Sequence, residues 1–510
     1  MVGRNQRPDG SVTIVSVLAP LLLLKCATAL GALDPTLDPA RLEDDAEAAA
    51  IEILPTEVRY VSARYTETVI RGRPWVPHKR LATISKGTRL VVRGEVESRD
   101  EEGCKGKPWY AVWPMGFVCS THFTAAETPP EVGAALPLAP GKRLPHAYAL
   151  VRSDGVPAYG SEDDVRLGVE SRALTKGMSL VVTGSTEVEG VRYVTTKDGL
   201  IVAKSDVGWM GQGSQWQGVR IVNADAPGPL LGWVRTKNAK VWDAPGSEHD
   251  PVATLEQRQR VPIFEAQGEY RRVGTDQWVL EGDLNEVNVV EPPEGVVTDF
   301  RRGETGNDQW VDVDVGEQVL VTYRGSVPQY ATLVSSGRGS PTPLGNYPVW
   351  AKVASMDMAN QDYEDNPYLV QGVPWVVLFQ GHIALHGAYW HDRFGNRKSH
   401  GCVNLAPLDA RWVFEWIGPT LPVGWTGLLP DDLHKSPVVH VRDSSKDPGL
   451  RFTQERPWGP PDRDAERKKT EAAERRREMA AAAAGPDLGA DDFLPPAGGA
   501  PRIESKPAPL

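Results

Sequence analysis

Apolar and polar positions along this chain alternate far more often than they cycle with a helical period. In "QWVDVDVGEQVLVTY", Val311, Val313 and Val315 alternate with Asp312 and Asp314, the period-two signature of a half-buried strand. Gly316-Glu317 turns the chain into a second strand, Gln318 to Tyr323, and "YATLVSSG" and "VPWVVLF" read as further strands. Upstream, three stretches share one rhythm of β-rich run, turn, aromatic-led strand and closing strand. "KGTRLVVRGEVE" leads to "WYAVWPMGFVCSTHF", "KGMSLVVTGSTEVEG" to "RYVTTKDGLIVAKSDV", and "EQRQRVPIFEAQG" to "YRRVGTDQWVLEGDLNEV". Short strands at such spacing predict small β-barrels. One helix stands out: Pro407 suits a first helical position, Leu408, Trp412 and Trp416 recur on one face, and Gly418 can stop it. The predicted fold class is therefore mainly β.

This pattern divides the 510 residues into several domains, since single cores rarely grow past about 250–300 residues. At the N-terminus, Arg4 and Arg7 precede the apolar run "SVTIVSVLAPLLLL", Lys25 ends it, and Ala27-Thr28-Ala29 fits a small-residue cleavage pattern. That order predicts a secretory signal peptide over residues 1–32 and hence an exported protein of the periplasm or cell envelope. An acidic, Ala/Pro-rich flexible leader follows at 33–55. The rhythmic blocks occupy 56–125, 145–210 and 230–291, Pro292-Pro293 marks a linker, and the sheet-rich block spans 306–430. From 431 to 510 no apolar stripe survives, which predicts a disordered or solvated tail. The formal net charge of −11 argues against a nucleic-acid partner, whose phosphates require a basic face.

Cysteine usage sharpens the picture. Beyond Cys26 in the leader region, Cys104 and Cys119 bracket two short strands around a Pro-Met-Gly turn, close enough for a disulfide in an oxidising compartment. Cys402 is then a free thiol. It lies in "LHGAYWHDRFGNRKSHGCVNL" with His386, His391 and His400, in a chain that holds only 10 histidines. A thiol is a poor nucleophile until a base takes its proton, and a paired imidazole can lower a cysteine pKa by several units. His386 ends the apolar run "IALHG", and Gly401 lets backbone N–H groups approach a developing oxyanion. His391 and Asp392 are expected to pair and shape the loop, and Ser399 either supports the nucleophile or stabilises the turn. The histidine spacings fit no common zinc pattern, so neither a metal nor a cofactor is expected.

The run "HG…SHGCVNL", with "VSSG" and "TPLG" upstream, resembles the L,D-transpeptidase catalytic domain of bacterial cell-wall enzymes, and the three upstream blocks resemble bacterial SH3-like domains. The resemblance implies a β-sandwich-like catalytic domain in which Cys402 carries the acyl group and His386 is its base. It further implies that the Gly387 carbonyl orients His386, that backbone N–H groups of His400, Gly401 and Cys402 form the oxyanion hole, and that Trp390, Asn404 and Ser399 lie on the substrate side. Many relatives carry Arg where Asn404 stands. The implied donor is a peptidoglycan stem tetrapeptide that loses its terminal D-alanine, with an amine or water as acceptor. Carboxypeptidase action, and a non-catalytic scaffold contacting wall glycan through the SH3-like blocks, stay open at this point.

Overall fold

The computed structural model describes residues 51–446 apart from 76–78, 99–102, 222–227, 247, 249, 295, 297–307, 339–341, 360–367 and 431. The expected signal peptide, most of the leader and the tail beyond 446 lie outside the described residues. Sheet dominates what is described.

The sheet-rich block contains β1 (Gln309–Asp314), β2 (Val319–Arg324), β3 (Val327–Ser335), β4 (Gly345–Pro348), β5 (Ala351–Ala359), β6 (Leu369–Gln380), β7 (Ile383–Gly387), β8 (Val403–Leu405), β9 (Trp425–Leu428) and β10 (Val438–Arg442). One sheet runs through β3, β2, β1, β10 and β4 by successive pairing. A second joins β9, β5, β6, β7 and β8. The end of β3 crosses into this second sheet, where Val334 pairs with Leu405 and Ser335 with Asn404. The apolar core between them includes Val311, Val313, Leu320, Trp375, Phe379 and Val403.

Two expectations change here. Asp312 and Asp314 do not face water: both are 1% exposed. Their charges are met by β10, which pairs parallel with β1. His440 Nδ1 lies 2.7 Å from Asp312, Arg442 Nε 3.0 Å from Asp312, and Arg442 Nη1 2.6 Å from Asp314. Residues 438–442 are thus a central strand, so the start of the expected tail belongs to this block. A five-residue "VVHVR" flanked by polar sequence carries too short a pattern to reveal that its partners sit about 130 positions upstream.

The helix spans Pro407–Trp416, with Pro in its first turn as anticipated. Its buried face, however, is Ala410, Val413 and Phe414. Leu408, Trp412 and Trp416 take the half-buried side, where Trp412 stacks on Tyr330 at 4.2 Å and on Trp416 at 5.8 Å. Lys352, 1% exposed, closes the helix end by donating to the carbonyls of Phe414 (2.7 Å), Ile417 (2.6 Å) and Pro419 (2.7 Å). An ammonium has three donors, and all three are used.

The upstream blocks are sheet units joined to the sheet-rich block rather than separate beads. In the first, Tyr60–Ala63 pairs with Arg89–Val96 and Phe123–Ala126. Its strand Arg80–Ile84 also pairs with β9, Ala82 opposite Leu428. The end of the expected flexible leader is ordered, since Leu54 and Glu95 exchange backbone hydrogen bonds at 2.7 and 2.8 Å. Cys104 and Cys119 form a disulfide. The second block touches β6 through Ser179 opposite Val370, and the connector strand Val219–Arg220 pairs with β3. In the third, Gly228–Val234 pairs with Arg260–Pro262 and Leu284–Val289.

Candidate active site

β7 and β8 run parallel with Leu385 opposite Val403 and His386 opposite Asn404. Cys402 immediately precedes β8, next to the Leu385–Val403 pair. The sulfur is held at the start of β7: its S–H faces the His382 carbonyl at 3.6 Å, and the Ala384 N–H hydrogen-bonds to it.

Electrostatics define the resting pair. Burial raises the Cys402 thiol above its ordinary pKa, and the Ala384 hydrogen bond only partly opposes this. Burial lowers His386 to about 4; the Gly387 carbonyl pulls upward and His391 pushes down. A thiolate–imidazolium pair requires a thiol more acidic than the imidazolium. Here the order is reversed, so thiol and imidazole rest neutral, and the expected lowering of the thiol pKa is not found.

His386 is 2% exposed and its ring stacks on Trp390 at 5.8 Å. His386 Nδ1 lies 3.3 Å from the Gly387 carbonyl. A carbonyl only accepts, so Nδ1 carries the hydrogen and Nε2 keeps its lone pair.

The turn before the cysteine is tied by three hydroxyls. Ser399 Oγ accepts from the Gly401 N–H at 3.1 Å and donates to the Cys402 carbonyl. Its hydroxyl therefore serves the turn rather than the substrate side. The Gly401 N–H is spent on this contact, which removes it from the three expected oxyanion donors. Thr342 Oγ1 accepts from the Gly337 N–H at 3.0 Å and donates to the Gly401 carbonyl at 2.7 Å. Thr342 thus links "VSSG" and "TPLG" to the nucleophile turn. Gln318 adds a third brace through Ser336, whose N–H it accepts at 2.8 Å and whose Oγ it meets at 2.6 Å. Gly401 has φ +138°, a conformation strained for any side chain, and a Cβ there would also push aside Ile383 Cδ1 at 2.9 Å.

Asn404, expected on the substrate side, is 2% exposed and its amide meets His391 Nε2 at 2.9 Å. The Arg393 N–H donates to His391 Nδ1 at 3.2 Å. Burial lowers His391 to about 4, so the ring is neutral, and its Nε2 meets Nδ2 of the Asn404 amide. His391 therefore pairs with Asn404, not with Asp392. Asp392 instead takes Arg258 Nη1 on both oxygens at 3.0 Å and a hydroxyl hydrogen bond from Ser214. His400 is exposed and stacks on Tyr368 at 5.3 Å.

Trp390 also lines a cleft of about 980 Å³ between the loop and the second block, with Trp209, Trp216 and Arg152 among its walls. Cys402 and His386 do not line it; Trp390 connects it to them. The second block holds this wall through stacked Tyr148 and Tyr389 at 3.7 Å, with Tyr389 OH 2.9 Å from Ser179 and Tyr148 OH donating to the Gly372 carbonyl at 2.8 Å. Arg258, Ser214, Tyr148 and Tyr389 escaped sequence reasoning, because only the folded contacts bring the upstream blocks to this loop.

With this geometry in view, the comparisons are informative. Residues 308–428 match the family model YkuD, described as the L,D-transpeptidase catalytic domain. This segment is an L,D-transpeptidase catalytic domain. A putative L,D-transpeptidase of Bacillus subtilis, YciB, is 28% identical over 122 residues, 21% of this chain and 60% of the relative. The chain thus spans three-fifths of the length of that curated relative. The NMR structure of the catalytic domain from E. faecium L,D-transpeptidase is 22% identical, covering 27% of this chain and 98% of that one at a TM-score of 0.22. The crystal structure of Mycobacterium tuberculosis L,D-transpeptidase 1 is 19% identical, covering 27% and 62% at a TM-score of 0.20. The assignment rests on the family match; likenesses at such TM-scores add nothing to it. β10 lies outside the matched segment yet completes the transpeptidase domain's first sheet.

Proposed function

We propose that this protein is a peptidoglycan L,D-transpeptidase acting through a Cys402 thioester on stem tetrapeptides. The carrying observation is that Cys402 immediately precedes β8, which pairs parallel with the strand of His386, its sulfur hydrogen-bonded to Ala384 two residues before that histidine, with Nε2 of His386 left as a base by the Gly387 carbonyl. As the donor's third-residue carbonyl approaches, Cys402 Sγ attacks and its proton passes to His386 Nε2. The C–S bond forms, the C–N bond to terminal D-alanine breaks, and the proton leaves on the D-alanine amine. An amine of a second stem then attacks the thioester and regenerates the thiol, giving a 3→3 cross-link. N–H groups of His400 and Cys402 serve the tetrahedral oxyanion.

The neutral resting pair favours proton transfer concerted with attack over a preformed thiolate. Export to the cell envelope belongs to this reading and is supported by the Cys104–Cys119 disulfide. So does assignment of the three upstream blocks as SH3-like domains contacting the wall.

Incubation of muropeptides with the full chain, with Cys402→Ala and with His386→Ala, followed by mass spectrometry, tests the proposal. Release of D-alanine with 3→3 dimers only in the wild type is expected. D-alanine with trimmed tripeptide alone would make the protein an L,D-carboxypeptidase, and equal products from Cys402→Ala would end the thioester reading.

A further inference from the structure

On the far side of the Arg258–Asp392 pair from the aromatic cleft lies a second recess of about 380 Å³. Its walls carry Arg258, Arg338, Arg393, Arg397 and Lys398 against a single carboxylate, Asp392, in a protein whose net charge is −11. Arg258 is consumed by Asp392, and Arg397 by Asp443 at 3.4 Å and the Val315 carbonyl at 2.9 Å. Arg338, Arg393 and Lys398 are exposed and have no acidic partner among the described residues.

These cations are fixed relative to the nucleophile. The Arg338 N–H donates to the Ser399 carbonyl at 2.9 Å and the Lys398 N–H to the Ser336 carbonyl at 2.9 Å, so both backbones are laced into the turn that carries Cys402. Arg258 reaches its place from the third block in a left-handed conformation, φ 68°, a strained backbone for a side chain and one that functional sites retain.

We propose that this recess binds the carboxylates of an acidic peptide, namely the stem presented to Cys402, an assignment that rests on the reaction proposed above. Three unmatched cations beside the nucleophile turn suit a short ligand with several carboxylates, and guanidinium groups grip carboxylates in paired hydrogen bonds. The recess is too small for a folded partner, and Lys398 in its wall lies four residues before Cys402.

The test uses the full chain carrying Cys402→Ala, so that binding is read without turnover. Its affinity for a free-acid stem tetrapeptide is measured by calorimetry, alone and with Arg338→Gln plus Lys398→Gln. Arg192→Gln, the removal of one cation at an exposed site of the second block, serves as control. The pair of substitutions is expected to weaken binding about tenfold or more, high salt to narrow that gap, and Arg192→Gln to leave affinity unchanged. The carboxamide form of the peptide should bind the parent as weakly as the free acid binds the double variant. Equal affinity of parent and double variant overturns the site. So does Arg338-dependent binding of pyrophosphate by a chain that ignores the peptide. D-alanine release is read separately on chains retaining Cys402. Arg338-dependent binding without any release keeps the recess and sinks the reaction, whereas release with unchanged KM in the double variant does the reverse.

Discussion

His386 and Asn404 stand opposite each other on parallel strands, and the amide of Asn404 is committed to His391. Through that contact Asn404 fastens the loop carrying Trp390, which stacks on the His386 ring. Asn404 is therefore a positioning residue. Asn404→Ala leaves His391 Nε2 without its buried hydrogen-bond partner, at a cost of about 1–3 kcal/mol. The expected outcome is a lower melting temperature and a kcat reduced more than KM is changed, checked by calorimetry and steady-state kinetics.

Replacing His386 by Ala removes the proton acceptor. The rate of D-alanine release is expected to fall by about 10²–10⁴-fold with the fold intact by circular dichroism. A loss below threefold would move the base elsewhere.

The pH profile follows from the two shifted groups. His386, buried with its pKa at about 4, stays neutral down to that value, so the acid limb of kcat/KM should fall near pH 4 rather than near the ordinary imidazole value. Its effect on stability has a defined sign. Between about 4 and the unperturbed 6.5 the unfolded chain binds a proton that the folded chain refuses, so stability falls as pH drops through that window. Iodoacetamide should label Cys402 slowly at neutral pH and faster as pH rises, since its thiol is shifted upward. Rapid labelling at neutral pH would contradict the neutral pair.

Asp312 is held by Arg442 and His440. Burial by itself would raise its pKa, but the guanidinium and the imidazole outweigh that and keep the carboxyl below its usual range. Deleting residues from 431 onward leaves Asp312 and Asp314 buried without their partners. Losing one partner of a buried pair costs about 3–5 kcal/mol, so a chain ending at 430 is expected to melt far earlier or to be insoluble, whereas one ending at 446 should match the full chain.

Gly401→Ala forces a side chain into a left-handed backbone and onto Ile383. Loss of D-alanine release with only a modest change in melting temperature is expected, because the strain falls on the nucleophile turn rather than on the core.

The candidate site was legible because it is local: His386, the Gly401–Cys402 step and the Pro407 helix start each announce themselves within a few residues. The strand character of Val311–Val315 was legible too, but its two-sided burial was not, since alternation reports one apolar face and says nothing of what salt-bridges the other. Asp392 and His391 are adjacent in sequence yet each bonds elsewhere, because Arg258 arrives from 134 positions upstream and Asn404 from across the loop. Pairing between blocks, such as Ala82 with Leu428, depends on strand edges meeting in space, which composition does not encode.

That last pairing closes the second sheet. With Arg80–Ile84 laid along β9, the flank where a neighbouring chain could zip on backbone to backbone is already occupied by the molecule's own N-terminal portion. A segment running from 308 to 446 would keep β10 yet bare that row of amides and carbonyls, and its tendency to clump would then reflect a missing chaperoning neighbour rather than any fault in its own sequence.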